Sequence, residues 1–194
     1  MEQTNSNEIY RVEDTIRLIF NPDFNQPIGC IKWPEGIKII YFGDSFNQPI
    51  DNIEWPEEVK TIIFGKPFNQ PIDKVKWPKQ VDNISFYYDF NQPIDDVIWP
   101  EGLKFLYFDK NFNQPLDNMR WPTSLQYIKC GDGFNHPIDN VKFPQSIETL
   151  RFGRGFNQPL DNMRWPRSLK YLTLGKNYSQ SIESVSKDVL IIRI

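Results

Sequence analysis

The residues of this chain that could carry out covalent or metal chemistry are few, and their spacing does not suit it. The single histidine, His136, stands where a repeated turn otherwise carries Gln, so a Ser-His-Asp or Cys-His pair would have to be built around a turn position. Cys30 falls in a turn, and Cys130 ends an apolar strand pattern. They lie roughly four repeat units apart, or roughly 20 Å at about 4.8 Å per stacked strand, beyond the reach of a disulfide. No Cys/His cluster has zinc spacing, and no Gly-rich loop opens a helix that could cradle phosphate. Carboxylates are plentiful and one set recurs at fixed intervals: Asp51, Asp73, Asp95, Asp117, Asp139 and Asp161. A calcium array needs a second acidic column beside such a set, and a glycosidase site needs two converging carboxylates. Like charges about 5 Å apart repel, so this column is expected to face solvent or to cap the neighbouring turn amides. The expectation is a protein that is not an enzyme and holds no cofactor and no metal.

A strict 22-residue period positions all of these side chains. Phe24-Asn25-Gln26-Pro27-Ile28 returns with its leading aromatic at Phe46, Phe68, Phe90, Phe112, Phe134 and Phe156, and as Tyr178. A fixed period of this length means one structural unit stacked on copies of itself. Of the 16 prolines, 14 follow either Gln (once His136) or Trp (once Phe143) in the unit. Residues before proline are driven to extended conformations, and the two prolines stand too close together for a long helix between them. The return path is therefore expected to be extended or a single 3₁₀-like turn. The last part of each unit, as in Leu125-Gln126-Tyr127-Ile128-Lys129-Cys130, has the apolar spacing of a strand with one face in a core and one face open. Strands joined by identical crossovers must be parallel, which predicts a right-handed solenoid with one curved parallel sheet and little or no helix. The Trp column (Trp33 to Trp165) and two Phe columns read as stacked aromatic core, and the Asn column (Asn25 to Asn157) as an amide ladder.

The 194 residues carry a net charge of -3, so there is no general attraction to nucleic acid or anionic membrane. No apolar run has the length of a membrane span, and Met1 to Glu8 hold no signal-peptide core. Two reduced thiols suit a cytoplasmic protein. Residues 1–8 are expected to be loose and 9–194 to form one solenoid. Within it, 9–23 read as a degenerate N-terminal cap, with Arg11-Val12 in the place of Trp-Pro, 24–177 as regular repeats, and 178–194 as a degenerate last repeat.

The Phe-Asn-Gln-Pro signature, the Trp-Pro pair and the Leu-x-x-Ile-x-Phe strand at this period resemble the FNIP repeat family, over about Ile9 to Ile194. The resemblance implies an architecture similar to leucine-rich repeats and a source among social amoebae or the giant viruses that infect them, with host cytoplasm as the setting in the viral case. Family members often carry an F-box ahead of the repeats, which implies substrate selection for a ubiquitin ligase. The residues ahead of Phe24 leave no room for one, so a ligase role is expected only as an adaptor-like or decoy protein without the box.

Function is expected where the repeat varies, on the open face of the sheet. From Arg17 to Arg193 the outward strand positions read eight basic and two acidic residues, a balance of +6 in an otherwise acidic protein. Phe105, Tyr107, Tyr127 and Tyr171, with Lys104, Lys129, Arg151 and Lys170 around them, suit a protein partner with an acidic segment. Single-stranded nucleic acid stacked on the same face is the alternative. A structural role through the solenoid ends is a third reading. Aligning Val189, Ile192 and Ile194 with Leu169, Leu172 and Leu174 leaves an apolar last strand. Val189, Leu190, Ile191 and Arg193 there could pair with a second copy as a homodimer.

Overall fold

The computed structural model describes residues 15–194 and, of the residues before them, the strand Glu8–Val12. Ten strands form one sheet in chain order: β1 (Glu8–Val12), β2 (Thr15–Ile19), β3 (Ile37–Tyr41), β4 (Thr61–Phe64), β5 (Asn83–Phe86), β6 (Phe105–Phe108), β7 (Tyr127–Cys130), β8 (Thr149–Phe152), β9 (Tyr171–Leu174) and β10 (Leu190–Arg193). From β2 to β10 every pairing is parallel. No helix occurs among the described residues, and none is long and apolar enough to cross a membrane. The expected loose segment 1–8 lies outside the described residues except for Glu8.

Two departures from the expected layout sit at the extremes. Residues Arg11 and Val12 lie in β1, which runs antiparallel to β2 and does not form a return segment. The link from Val12 to Thr15 is of hairpin length, and a parallel pair needs a crossover of a dozen residues or more. At the other extreme, Leu190 pairs with Tyr171, Ile191 with Leu172 and Arg193 with Leu174. The last strand is therefore one residue out of the expected register. Ile191, in place of Ile192, packs against the core, and Arg193 does not stand on the open face. Its guanidinium carbon lies 5.4 Å from the centre of the Tyr178 ring.

Each coil is one short strand followed by a return path of isolated turns closed by i→i+3 backbone bonds. In one coil these are Phe68 N to Gly65 O, Val75 N to Ile72 O and Val81 N to Pro78 O, at 3.3–3.4 Å. The proline-shaped segments between the turns stay extended, as pre-proline sterics require. The recurrent Asp sits at the first corner of the middle turn. Five of the six, from Asp73 to Asp161, are exposed, and none of the six accepts a bond from a turn amide.

Three aromatic columns fill the interior. Phe20, Phe42, Phe64, Phe86 and Phe108 stack at 5.0–5.7 Å along the strand ends. The leading Phe column stacks at 5.9–6.3 Å from Phe24 to Tyr178. The Trp column spaces its rings at 5.9–6.3 Å and meets the strand-end Phe rings edge-on. Coils thus lie closer together near the sheet than on the far side, so the stack fans outward and the sheet lines the inside of the curve. Each stacked pair contributes about 0.5–1.5 kcal/mol beyond its burial, so the columns tie every coil to both neighbours.

The amide ladder runs beside the leading Phe column. Asn69 Oδ1 accepts from the Asn91 backbone N–H at 2.9 Å and from Gln92 Nε2 at 3.0 Å, and Gln92 Nε2 also reaches the Asn69 carbonyl at 3.0 Å. The same set repeats from Asn25 to Gln114 and between Asn135 and Gln158. His136 keeps only the carbonyl contact, Nε2 to Asn113 O at 3.0 Å. Imidazole lacks the second N–H that the Gln amide aims at the side-chain oxygen. His136→Gln is therefore expected to restore one ladder bond and to raise unfolding free energy by about 0.5–1 kcal/mol in a urea titration. An unchanged midpoint would mean that the second bond adds nothing.

Candidate functional site

The open face is built from the two outward residues of each strand and the residue just before it. Leu106 and Phe108 are buried while Phe105 and Tyr107 are half-buried, and Ile128 and Cys130 are buried while Tyr127 and Lys129 are half-buried. Parallel register sets Phe105 beside Tyr127 and Tyr107 beside Lys129. The three aromatic side chains turn toward one another. The Tyr107 and Tyr127 ring centres lie 4.9 Å apart, and those of Phe105 and Tyr127 6.5 Å apart. Burial, with Tyr127 as a smaller cause, pushes the Tyr107 hydroxyl pKa upward, so it stays a neutral donor. Tyr171 stands two strands on from Tyr127, with Thr149 between them, and touches no other ring.

The four expected cations divide into two kinds. Lys129 Nζ sits 2.7 Å from Asp109 and Lys170 Nζ 3.0 Å from Glu148, so both are neutralised within this chain. Lys104 and Arg151 have no ion pair among the described residues. Farther along, Lys38 is held by Glu58, and this bond lowers the Glu58 carboxyl pKa. At the last strand the outward residues are Leu190 and Ile192, 58% and 39% exposed, while Val189 is buried and Ile191 packs inward.

Two residues just past the end of β5 lay outside the expected set. A glycine follows the strand-end core residue in five coils, at Gly43, Gly65, Gly131, Gly153 and Gly175. A Cβ at Gly65 would overlap the Gly43 carbonyl, and one at Gly131 would overlap the Asp109 carbonyl. In the two central coils this column reads Tyr87 and Asp109 instead. Beside them Tyr88 takes a left-handed φ of 25°, the sole non-glycine residue to do so among the described residues. The Tyr88 ring lies between Lys66 and Lys110, whose ammonium groups are 5.9 and 5.6 Å from its centre. Burial, then Asp44 and Tyr87, raise the Tyr41 pKa. A tyrosine in a glycine column is the sequence signal that marks Tyr87 and Tyr88.

The groups suited to chemistry stay apart. Cys30 is exposed and Cys130 buried, both as free thiols, and burial pushes the Cys130 thiol pKa far up. No group of three or more His, Cys, Asp or Glu among the described residues is placed to hold a metal ion.

The geometry agrees with what comparison with known proteins finds. The FNIP Repeat family model matches residues 24–67, 68–98, 90–133, 134–177 and 156–190. A solved structure described as CroV588, a novel circular LRR protein, is similar over 95% of this chain, with a TM-score of 0.64 and 29% identity. The chain spans 34% of that protein's length. No curated protein matches. With the signature columns matched from Phe24 to Leu190, the chain belongs to the FNIP repeat family.

Proposed function

We propose that this solenoid is a non-catalytic protein-binding scaffold that takes an acidic partner segment on its concave sheet face, inside the cell. One observation carries this reading: Phe105, Tyr107 and Tyr127 cluster on the exposed side of the sheet, flanked by the unpaired cations Lys104 and Arg151. Aromatic anchors with nearby charge are what concentrates binding energy at protein interfaces. A frame of identical coils with variable outward residues supports the same role.

The test is capture from an amoebal lysate by the wild-type protein and by Tyr107→Ala/Tyr127→Ala/Arg151→Glu. The triple variant is expected to lose the specific partners while keeping its thermal midpoint within a few degrees, since all three side chains point outward. Identical captures from both proteins would place binding elsewhere. If the lost partners are nucleic acid, oligonucleotide affinity will fall steeply with salt.

A further inference from the structure

We infer that the partner segment binds in extended form, diagonally across β6 to β8, with two carboxylates four residues apart and an apolar side chain midway between them. This rests on the concave-face reading and narrows it to a ligand pattern. The first step is which cations are free. Lys129 and Lys170 already hold Asp109 and Glu148, so a partner carboxylate gains most at Lys104 and Arg151.

The second step is where these two stand. Gln126 N bonds to Lys104 O at 2.9 Å and Glu148 N to Gln126 O at 2.8 Å, so Lys104, Gln126 and Glu148 lie side by side across successive coils. Two strand spacings of about 4.8 Å separate Lys104 from Glu148, and three residues at about 3.3 Å each separate Glu148 from Arg151, giving a diagonal of about 14 Å between backbone positions. An extended chain covers that distance in about four residues, at roughly 3.3–3.6 Å each, whereas a helix would need about nine.

The third step is the side-chain alternation. In an extended segment residues i, i+2 and i+4 point the same way. With carboxylates at i and i+4 over Lys104 and Arg151, the side chain at i+2 falls at the midpoint of the diagonal. That midpoint is on the coil of β7, at Tyr127, the ring that touches both Phe105 and Tyr107. Charge and aromatic surface thus converge on one pattern, acid-x-apolar-x-acid.

The test uses two fluorescein-labelled peptides of identical composition, one with a Glu-Ser-Phe-Ser-Glu core and one with Glu-Ser-Glu-Ser-Phe, each flanked by Gly-Ser. Fluorescence anisotropy with the full chain at low salt is expected to show the first peptide binding about tenfold more tightly, and Lys104→Gln and Arg151→Gln each removing most of that preference. Lys142→Gln, at an exposed position of the return path, is expected to leave it unchanged. Equal affinities for the two peptides, or no binding of either, overturn the inference. The lysate capture decides the concave-face reading separately, because it does not depend on carboxylate spacing.

Discussion

Phe86→Ala is expected to cost about 4 kcal/mol of unfolding free energy, in the range for truncating a fully buried aromatic side chain. Phe86 is inaccessible to solvent and stacks on Phe64 at 5.1 Å and Phe108 at 5.7 Å, with Phe90 at 4.2 Å. It also meets Trp77 and Trp99 edge-on at 6.4 and 6.5 Å. No neighbour can close the space, because each ring is held in its own column by the coil above and below. In a stack where coils touch only their neighbours, damage at the centre also weakens the coupling between the halves. A urea titration followed by far-UV circular dichroism is therefore expected to show a lower midpoint and a shallower transition. A loss below about 0.5 kcal/mol, within the range of an ordinary surface change, would mean that the column is not the main core.

Gly131→Ala is the second large effect, with an expected loss of about 3 kcal/mol from overpacking against backbone. The added methyl group would overlap the Asp109 carbonyl, and main chain held by a turn bond from Phe112 N–H moves less readily than a flexible side chain. Gly102→Ala provides the contrast. There a Cβ meets only carbonyl oxygens at 3.7 and 3.8 Å, at ordinary contact distance. That variant should be neutral or more stable by up to about 1 kcal/mol, because it restricts the unfolded chain at no cost to the fold. Comparing the two midpoints separates a steric requirement from a general glycine effect, and equal outcomes would remove the steric argument.

The interior was legible because its requirements repeat. Most coils carry an aromatic at the strand end, an Asn to pass a bond to the next coil and prolines to hold the return path, so the columns stand out by recurrence even where Cys130, Leu174 or Ser179 interrupts them. The last strand was misaligned for the opposite reason. Val189, Leu190, Ile191, Ile192 and Ile194 are all apolar, so hydrophobicity does not say which face each takes, and a one-residue slip exchanges the faces. Backbone pairing decides it, sending Ile191 inward and Leu190 outward. Nor could the neutralised lysines be read from the chain. Lys129 reaches Asp109 across one coil, and Asp109 occupies a column that predicts glycine. Tyr87 stands in the same column, and a repeat pattern describes what coils share while this face depends on where they differ.

The amide ladder has a consequence for chain length. From Asn47 to Asn157 each Asn donates its backbone N–H to the side-chain oxygen of the Asn in the preceding coil and presents its own oxygen to the following coil, so these junctions share one donor and acceptor order. A 22-residue unit duplicated or removed between two matching Asn positions would leave every remaining junction chemically intact. Insertion of a copy lengthens the arc by one increment and shifts the register of nothing else. The concave face can therefore gain or lose a row of variable side chains without redesign of the core, so a binding surface of this kind can be resized by whole coils.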